Sequence, residues 1–366
     1  STALLTMPPL TNHHSHHADP AAWARELGIS SEAVEIYLAS DVIDLHVDSF
    51  IWSRIFGYDL RRRHGHGLLG ARIYSQVDLP RVREARLTGA TWVITTNPLR
   101  RAANRPEILA ANLGRLRAIL ESVADQVQIV RTAAEYRRAR ERERHAAFIG
   151  IQGGNALDRD LEALDSIPDD LVLRITLVHL SSSRLGVTSA PKFSRQDEGL
   201  SPFGRDFVRR LNEKRIFVDL AHINRRGFFD AAEVHDPSQP LIVTHTGVRG
   251  VYPHWRNLDD EQLRTIAATG GTIGVMYHSS FLGDRYWGGS SDAILRHLGH
   301  IVATVGEDHV SLGSDWDGAI IPPRDLRTPL ELPRLVDGML RRGWKPDRIG
   351  KILGGNFLRC VAALRG

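Results

Sequence analysis

Cysteine is almost missing from this chain. Cys360 is the only one in 366 residues, so no intrachain disulfide can form and the fold needs none. That fits a reducing compartment, and a cytoplasmic location is the expectation. Long apolar runs are missing too: nothing approaches the roughly 20 residues of a membrane span. The N-terminal region has no charged segment followed by an apolar stretch, so no signal peptide is visible. No Gly-rich dinucleotide fingerprint follows the first apolar run, and no phosphate-loop motif occurs. A Gly-x-Ser-x-Gly elbow is absent, which removes the usual serine-hydrolase reading. There is also no strong charge imbalance. The formal charge is +4, from 47 basic and 43 acidic residues, and nucleic-acid binding is not expected. The one dense basic cluster, Arg61, Arg62, Arg63, His64 and His66, reads as a solvated loop or as a rim that attracts an anionic substrate.

What remains is an ordinary globular composition, 42% hydrophobic and 25% charged. Residues 1–20, with His13, His14, His16 and His17, read as a tail. Residues 21–40 read as helix, with Ser30 or Ser31 as a break or cap. Thereafter one theme repeats: a short apolar run, a loop, then a longer mixed segment. The runs are Val42–Asp48, Thr91–Thr96, Ala147–Gln152, Val172–His179, Ile216–His222, Leu241–His245, Thr272–His278 and His309–Asp315. Such runs suit parallel strands buried on both faces. The segments between them carry helical signals, as in Arg105–Val123, Phe203–Lys214 and Leu258–Thr269, the last with Asp259 as its cap. Eight strands alternating with helices predict a (β/α)8 barrel or a long doubly wound sheet. The expected organisation is a tail and helix over residues 1–40 and one barrel over 41–366.

The polar residues that end these runs are the informative feature. His46 and Asp48 end the first, Gln152 the third, His179 the fourth, His222 the fifth, His245 the sixth and Asp315 the eighth. Polar groups capping apolar strands are costly unless they are paired or liganded. In a barrel these ends converge on the face that carries chemistry. His46 and Asp48, two apart on a strand, point to the same side, and imidazole with carboxylate suits Zn²⁺. Asp315 can touch a metal and take a proton from its water. His179 is a substrate contact or a core histidine.

Six motifs in order resemble the membrane (renal) dipeptidase family of zinc peptidases, over about Asp41–Arg359. They are His46-Val47-Asp48, Leu200–Gly204 with Val218–His222, Thr244-His245-Thr246, Arg256–Asp260, Gly313–Gly318 and Gly354–Arg359. The resemblance implies a metal-dependent (β/α)8 hydrolase that cleaves dipeptides at a binuclear zinc site. His46 and Asp48 would hold one ion, and His222 and His245 the other. Asp315 would be the acid and base, His179 would touch the tetrahedral intermediate, and Arg256 would clamp the substrate carboxylate. A homodimer is compatible with the family.

One position departs from the pattern. The family has a bridging glutamate in a Glu-Gly-Gly motif where this chain has Gln152-Gly153-Gly154. Two dications about 3.5 Å apart repel by about 19 kcal/mol at an effective dielectric near 20. An amide brings no charge to offset that. The expectation is one tightly bound zinc and a weak or absent second. Diversion to another small-molecule reaction, or a catalytically silent barrel, is the alternative.

Overall fold

The computed structural model describes residues 19–65, 70–97, 99, 101–192 and 194–366. The histidine tract and His66 fall outside these residues. Nine parallel strands form one sheet: β1 (Ile43–Val47), β2 (Gly89–Thr95), β3 (Val127–Ile129), β4 (His145–Gln152), β5 (Val172–Thr176), β6 (Phe217–Asp219), β7 (Ile242–Thr246), β8 (Thr272–Val275) and β9 (Val310–Leu312). The sheet runs β2-β1-β9-β8-β7-β6-β5-β4, and β2 pairs with β4 to close an eight-stranded barrel. This is a (β/α)8 barrel, not the doubly wound sheet. β3, which the periodicity did not reveal, lies outside the ring and pairs with the start of β4. Three residues are too few to show an alternation.

The expected runs sit on the barrel strands because each is buried on both faces. Local chemistry places the helices between them. Asp259 and Gln262 form a reciprocal capping box at the start of Asp260–Ala268. Ser201 caps Pro202–Glu213, with proline at the first helical position. The N-terminal helical segment is two helices, Pro20–Leu27 and Ser31–Ala39. Left-handed Gly28 ends the first and the Ser30 hydroxyl caps the second. Trp23, Val34 and Tyr37 of these helices are buried in the main core.

A second apolar cluster gathers Ile43, Phe217 and Ile242, the first residues of their strands, with Phe148 and with Phe357 of the C-terminal helix Asn356–Arg365. Phe357 meets Phe148 edge-on at 5.6 Å. This cluster fills the end of the barrel where the strands begin. Gly354 lets the last helical segment approach the start of β1: a β-carbon there would stand 2.5 Å from the Asp41 carbonyl oxygen. Among the described residues no helix is long and apolar enough to cross a membrane.

Candidate metal centre

The other end of the barrel, where the strands finish, carries the polar residues. His46 lies in β1 and Asp48 follows it, Gln152 ends β4 and His245 lies in β7. His179, His222 and Asp315 come three residues after β5, β6 and β9, on loops rather than on the strands that the apolar runs suggested. Backbone geometry explains two of these. His222 and Asp315 hold left-handed conformations, φ 67° and 62°, which no strand accommodates. Such conformations cost about 1–3 kcal/mol and persist where the surroundings impose them. The loops are tied back to β1, since Asp315 N–H donates to the His46 carbonyl at 3.0 Å and Asp48 N–H to the Trp316 carbonyl at 2.9 Å.

These turns bring the expected residues into one buried centre. His46 Nε2 lies 3.4 Å from Asp315 Oδ1 and 4.0 Å from Asp48 Oδ2. His222 Nε2 and His245 Nε2 are 2.9 Å apart. The His46 and His245 rings have centroids 3.8 Å apart, and His179 meets His222 edge-on at 4.6 Å. Donor atoms of His46, His245 and Asp315 all fall within 4.8 Å of one another. The two expected ligand pairs therefore share one centre. Gln152 joins from the side: its Nε2 donates to Thr95 Oγ1 at 3.3 Å, and that hydroxyl donates to Asp48 Oδ1 at 2.7 Å.

Beneath the centre lies a polar layer that the sequence reading did not assign. Asp219 accepts from the Thr176 and Thr244 hydroxyls and from the Ala221 and Thr244 backbone N–H groups. The Thr244 hydroxyl spends its one hydrogen there, so at 2.9 Å it must accept from His245 Nδ1–H. That leaves a lone pair on His245 Nε2. Fully buried Arg174 donates to Thr176 Oγ1 and to His46 Nδ1, both at 2.6 Å, and lies 3.3 Å from Asp219. A guanidinium only donates, so neutral His46 carries its proton on Nε2, and a metal bound there must displace it. Gly150 makes room for this arginine; a β-carbon would stand 2.7 Å from Arg174 Nε. The signals were present but unread: Arg174 interrupts an apolar run, and Asp219 comes three residues before His222.

Burial holds His46, His222 and His245 well below the ordinary imidazole range, with neighbouring cations adding to the effect. They are neutral, the state in which an imidazole can bind a metal. Burial also lowers His179 to about 3 and raises Asp48 to about 7. Asp315 is pushed well up, by burial first and the Asp48 carboxylate second. Among the described residues, His46 Nε2, His222 Nδ1 and Gln152 Oε1 are buried without a hydrogen-bond partner. Three orphaned donor atoms around imidazoles and carboxylates fit a divalent metal of the zinc kind.

Arg256 is buried beside this centre. Its Nη2 donates to the His245 carbonyl at 2.6 Å, and its Nε has no hydrogen-bond partner among the described residues. Asp259 and Asp260, its neighbours in sequence, pair instead with Arg225 and His300. Asp317 is structural: it accepts from the Ser49 hydroxyl and the Gln76 and Val77 backbone N–H groups. The basic cluster is largely paired on the segment after helix Phe50–Phe56, Arg61 and Arg62 with Asp59 and Arg63 with Glu84.

Residues 30–365 match the family of membrane dipeptidases, peptidase family M19. An uncharacterized protein in the pqqA 5′ region of Klebsiella pneumoniae is 32% identical over 264 residues, 70% of this chain and 95% of that protein. The dipeptidase tcpJ of Claviceps purpurea is 27% identical over 295 residues, 78% of this chain and 68% of that protein. A metallopeptidase from Rhodobacter sphaeroides, solved with a phosphinate mimic of the dipeptide L-Ala-D-Ala, shares the fold with a TM-score of 0.79. It is 26% identical, and the match covers 89% of this chain and 99% of that one. This chain belongs to the membrane dipeptidase family, peptidase family M19, and is a hydrolase of the metallopeptidase kind.

Proposed function

We propose that this protein is a metal-dependent dipeptidase cleaving a dipeptide, or a similarly small amide, with a free carboxylate. One observation carries the reading: metal-donor atoms of His46, His245 and Asp315 lie within 4.8 Å of one another at a buried centre beside Arg256, whose Nε has no hydrogen-bond partner among the described residues. The phosphinate dipeptide mimic bound by the Rhodobacter sphaeroides relative supports a dipeptide as the substrate class.

In this reading His46, Asp48, His222 and His245 hold zinc, Asp315 borders it and Gln152 offers its carbonyl oxygen. The metal, when bound, supplies Lewis acidity and lowers the pKa of water. Asp315 takes the proton from the attacking water and passes it to the leaving amine, a role suited to a carboxyl raised by burial. His179, half-buried and neutral at the mouth, donates a hydrogen bond to the developing oxyanion. Arg256 binds the substrate carboxylate, and its anchorage to the His245 carbonyl sets the distance from carboxylate to scissile bond.

The donor set brings two carboxylates, Asp48 and Asp315, and two buried guanidiniums, Arg174 and Arg256, border it. With an amide at Gln152, this favours one tightly held zinc over two. The test combines zinc content per chain with a panel of dipeptides. Hydrolysis that stops on chelation and returns with zinc is the expected result. A zinc-loaded protein inert towards every dipeptide would overturn the reading.

A further inference from the structure

The loops around the mouth carry chemistry that zinc binding and carboxylate capture leave unused. Of the large apolar side chains left exposed among the described residues, Ile55 and Phe56 lie in the short helix Phe50–Phe56 after β1, and the others lie between the end of a barrel strand and the helix that follows, as Tyr252 and Trp255 do after β7. Scattered exposed apolar residues need no explanation, but a concentration of them on the loops that follow the barrel strands does.

The densest part flanks Arg256. His254 stacks on Phe281 at 4.3 Å and lies 4.9 Å from the ring of Trp255. Phe281 also meets Trp255 at 5.6 Å and His278 at 4.4 Å, and Tyr252 stacks beyond His254 at 6.1 Å. Burial lowers both histidines, His278 to about 4, so the cluster presents neutral ring faces rather than cations. It is also fixed in place. Asn257 Nδ2 donates to the Tyr252 carbonyl at 3.0 Å and the Phe281 carbonyl at 2.8 Å, fastening the loop after β7 to the turn after β8. Arg256 N–H donates to His254 Nδ1 at 3.2 Å, joining the carboxylate-binding residue to the rings. Trp255 and Tyr252 stay partly open, at 37% and 38% exposure. Preformed aromatic surface with free area beside a buried guanidinium whose Nε has no hydrogen-bond partner among the described residues suits a ligand that joins a carboxylate to an apolar group.

We propose that Tyr252, His254, Trp255, His278 and Phe281 form a specificity wall for dipeptides whose C-terminal residue is aromatic or large and apolar. The proposal rests on the dipeptidase reading and on Arg256 as the carboxylate site. Burying one such side chain corresponds to about 10- to 100-fold in kcat/KM, appearing mainly in KM.

The test uses the zinc-loaded full chain and the series Ala-Gly, Ala-Ala, Ala-Leu, Ala-Phe and Ala-Trp. Ala-Phe should exceed Ala-Gly by at least tenfold, and Trp255→Ala and Phe281→Leu should each shrink that ratio. A flat series in the wild type, or a ratio that survives both substitutions, overturns the wall. No hydrolysis across the series would sink the dipeptidase reading instead. The wall is then judged by calorimetric binding of N-acetyl-phenylalanine against N-acetyl-glycine. A tenfold preference that Trp255→Ala removes supports it, and equal affinities overturn it.

Discussion

Replacing Gln152 with glutamate tests the charge argument at its centre. The Gln152 amide nitrogen donates to Thr95 Oγ1 at 3.3 Å, and that hydroxyl donates to Asp48 Oδ1 at 2.7 Å. A glutamate loses the donor and places a carboxylate within about 6 Å of Asp48. Two such charges repel by about 3 kcal/mol at an effective dielectric near 20. The variant should therefore be the less stable protein in chelator, by up to that amount. With zinc the sign reverses, because an anion between two dications offsets part of their repulsion. A second ion held 100-fold above its Kd adds about 2.7 kcal/mol to the stability of the folded state. The assay is urea unfolding with chelator and with zinc, alongside zinc content per chain after dialysis. The wild type should retain about one ion and gain modestly from zinc. Gln152→Glu should approach two ions and gain more. Two full ions in the wild type, with no change in the variant, would refute the reasoning: water or another carboxylate would then already bridge the pair.

Arg256→Ala should cost substrates with a free C-terminal carboxylate about 10- to 150-fold in kcat/KM, the worth of a charge-assisted hydrogen bond, while amidated versions lose far less; equal losses would exclude the role. Arg174→Met should tighten zinc about 10-fold in chelator competition, because His46 can then carry its proton on Nδ1 and leave Nε2 free for the metal, while the fold survives because Asp219 keeps its hydroxyl and backbone donors; unchanged or weaker affinity would count against it. His145, remote from the centre, accepts from Trp92 Nε1–H at 3.0 Å and donates to the Leu87 carbonyl at 2.7 Å, and burial lowers it from 6.5 to about 4. Its folded pKa is below its unfolded one, so its contribution is complete above pH 6.5 and fades as pH falls towards 4. The stability gap between wild type and His145→Gln should therefore narrow by about 2 kcal/mol between pH 7.5 and pH 5, and a constant gap would contradict the assignment.

The parts of this protein legible in its sequence are those set by local periodicity and by neighbours in the chain. The barrel strands show because burial on both faces demands continuous apolar runs. The cap that Asp259 gives the helix Asp260–Ala268 shows because it stands immediately before the helical pattern. His46 and Asp48 show because a strand turns alternate residues to the same side. Other features required the closed barrel. Arg174 meets His46 across 128 positions of chain, and no local pattern marks a guanidinium as the partner of a distant imidazole. Apolar runs overstate strands that end in His222 and Asp315, because burial alone does not reveal a left-handed turn. The aromatic cluster beside Arg256 joins two loops whose rings are ordinary in sequence. Hydrogen bonds from Asn257 bring them together, and only the tertiary fold decides where those bonds land.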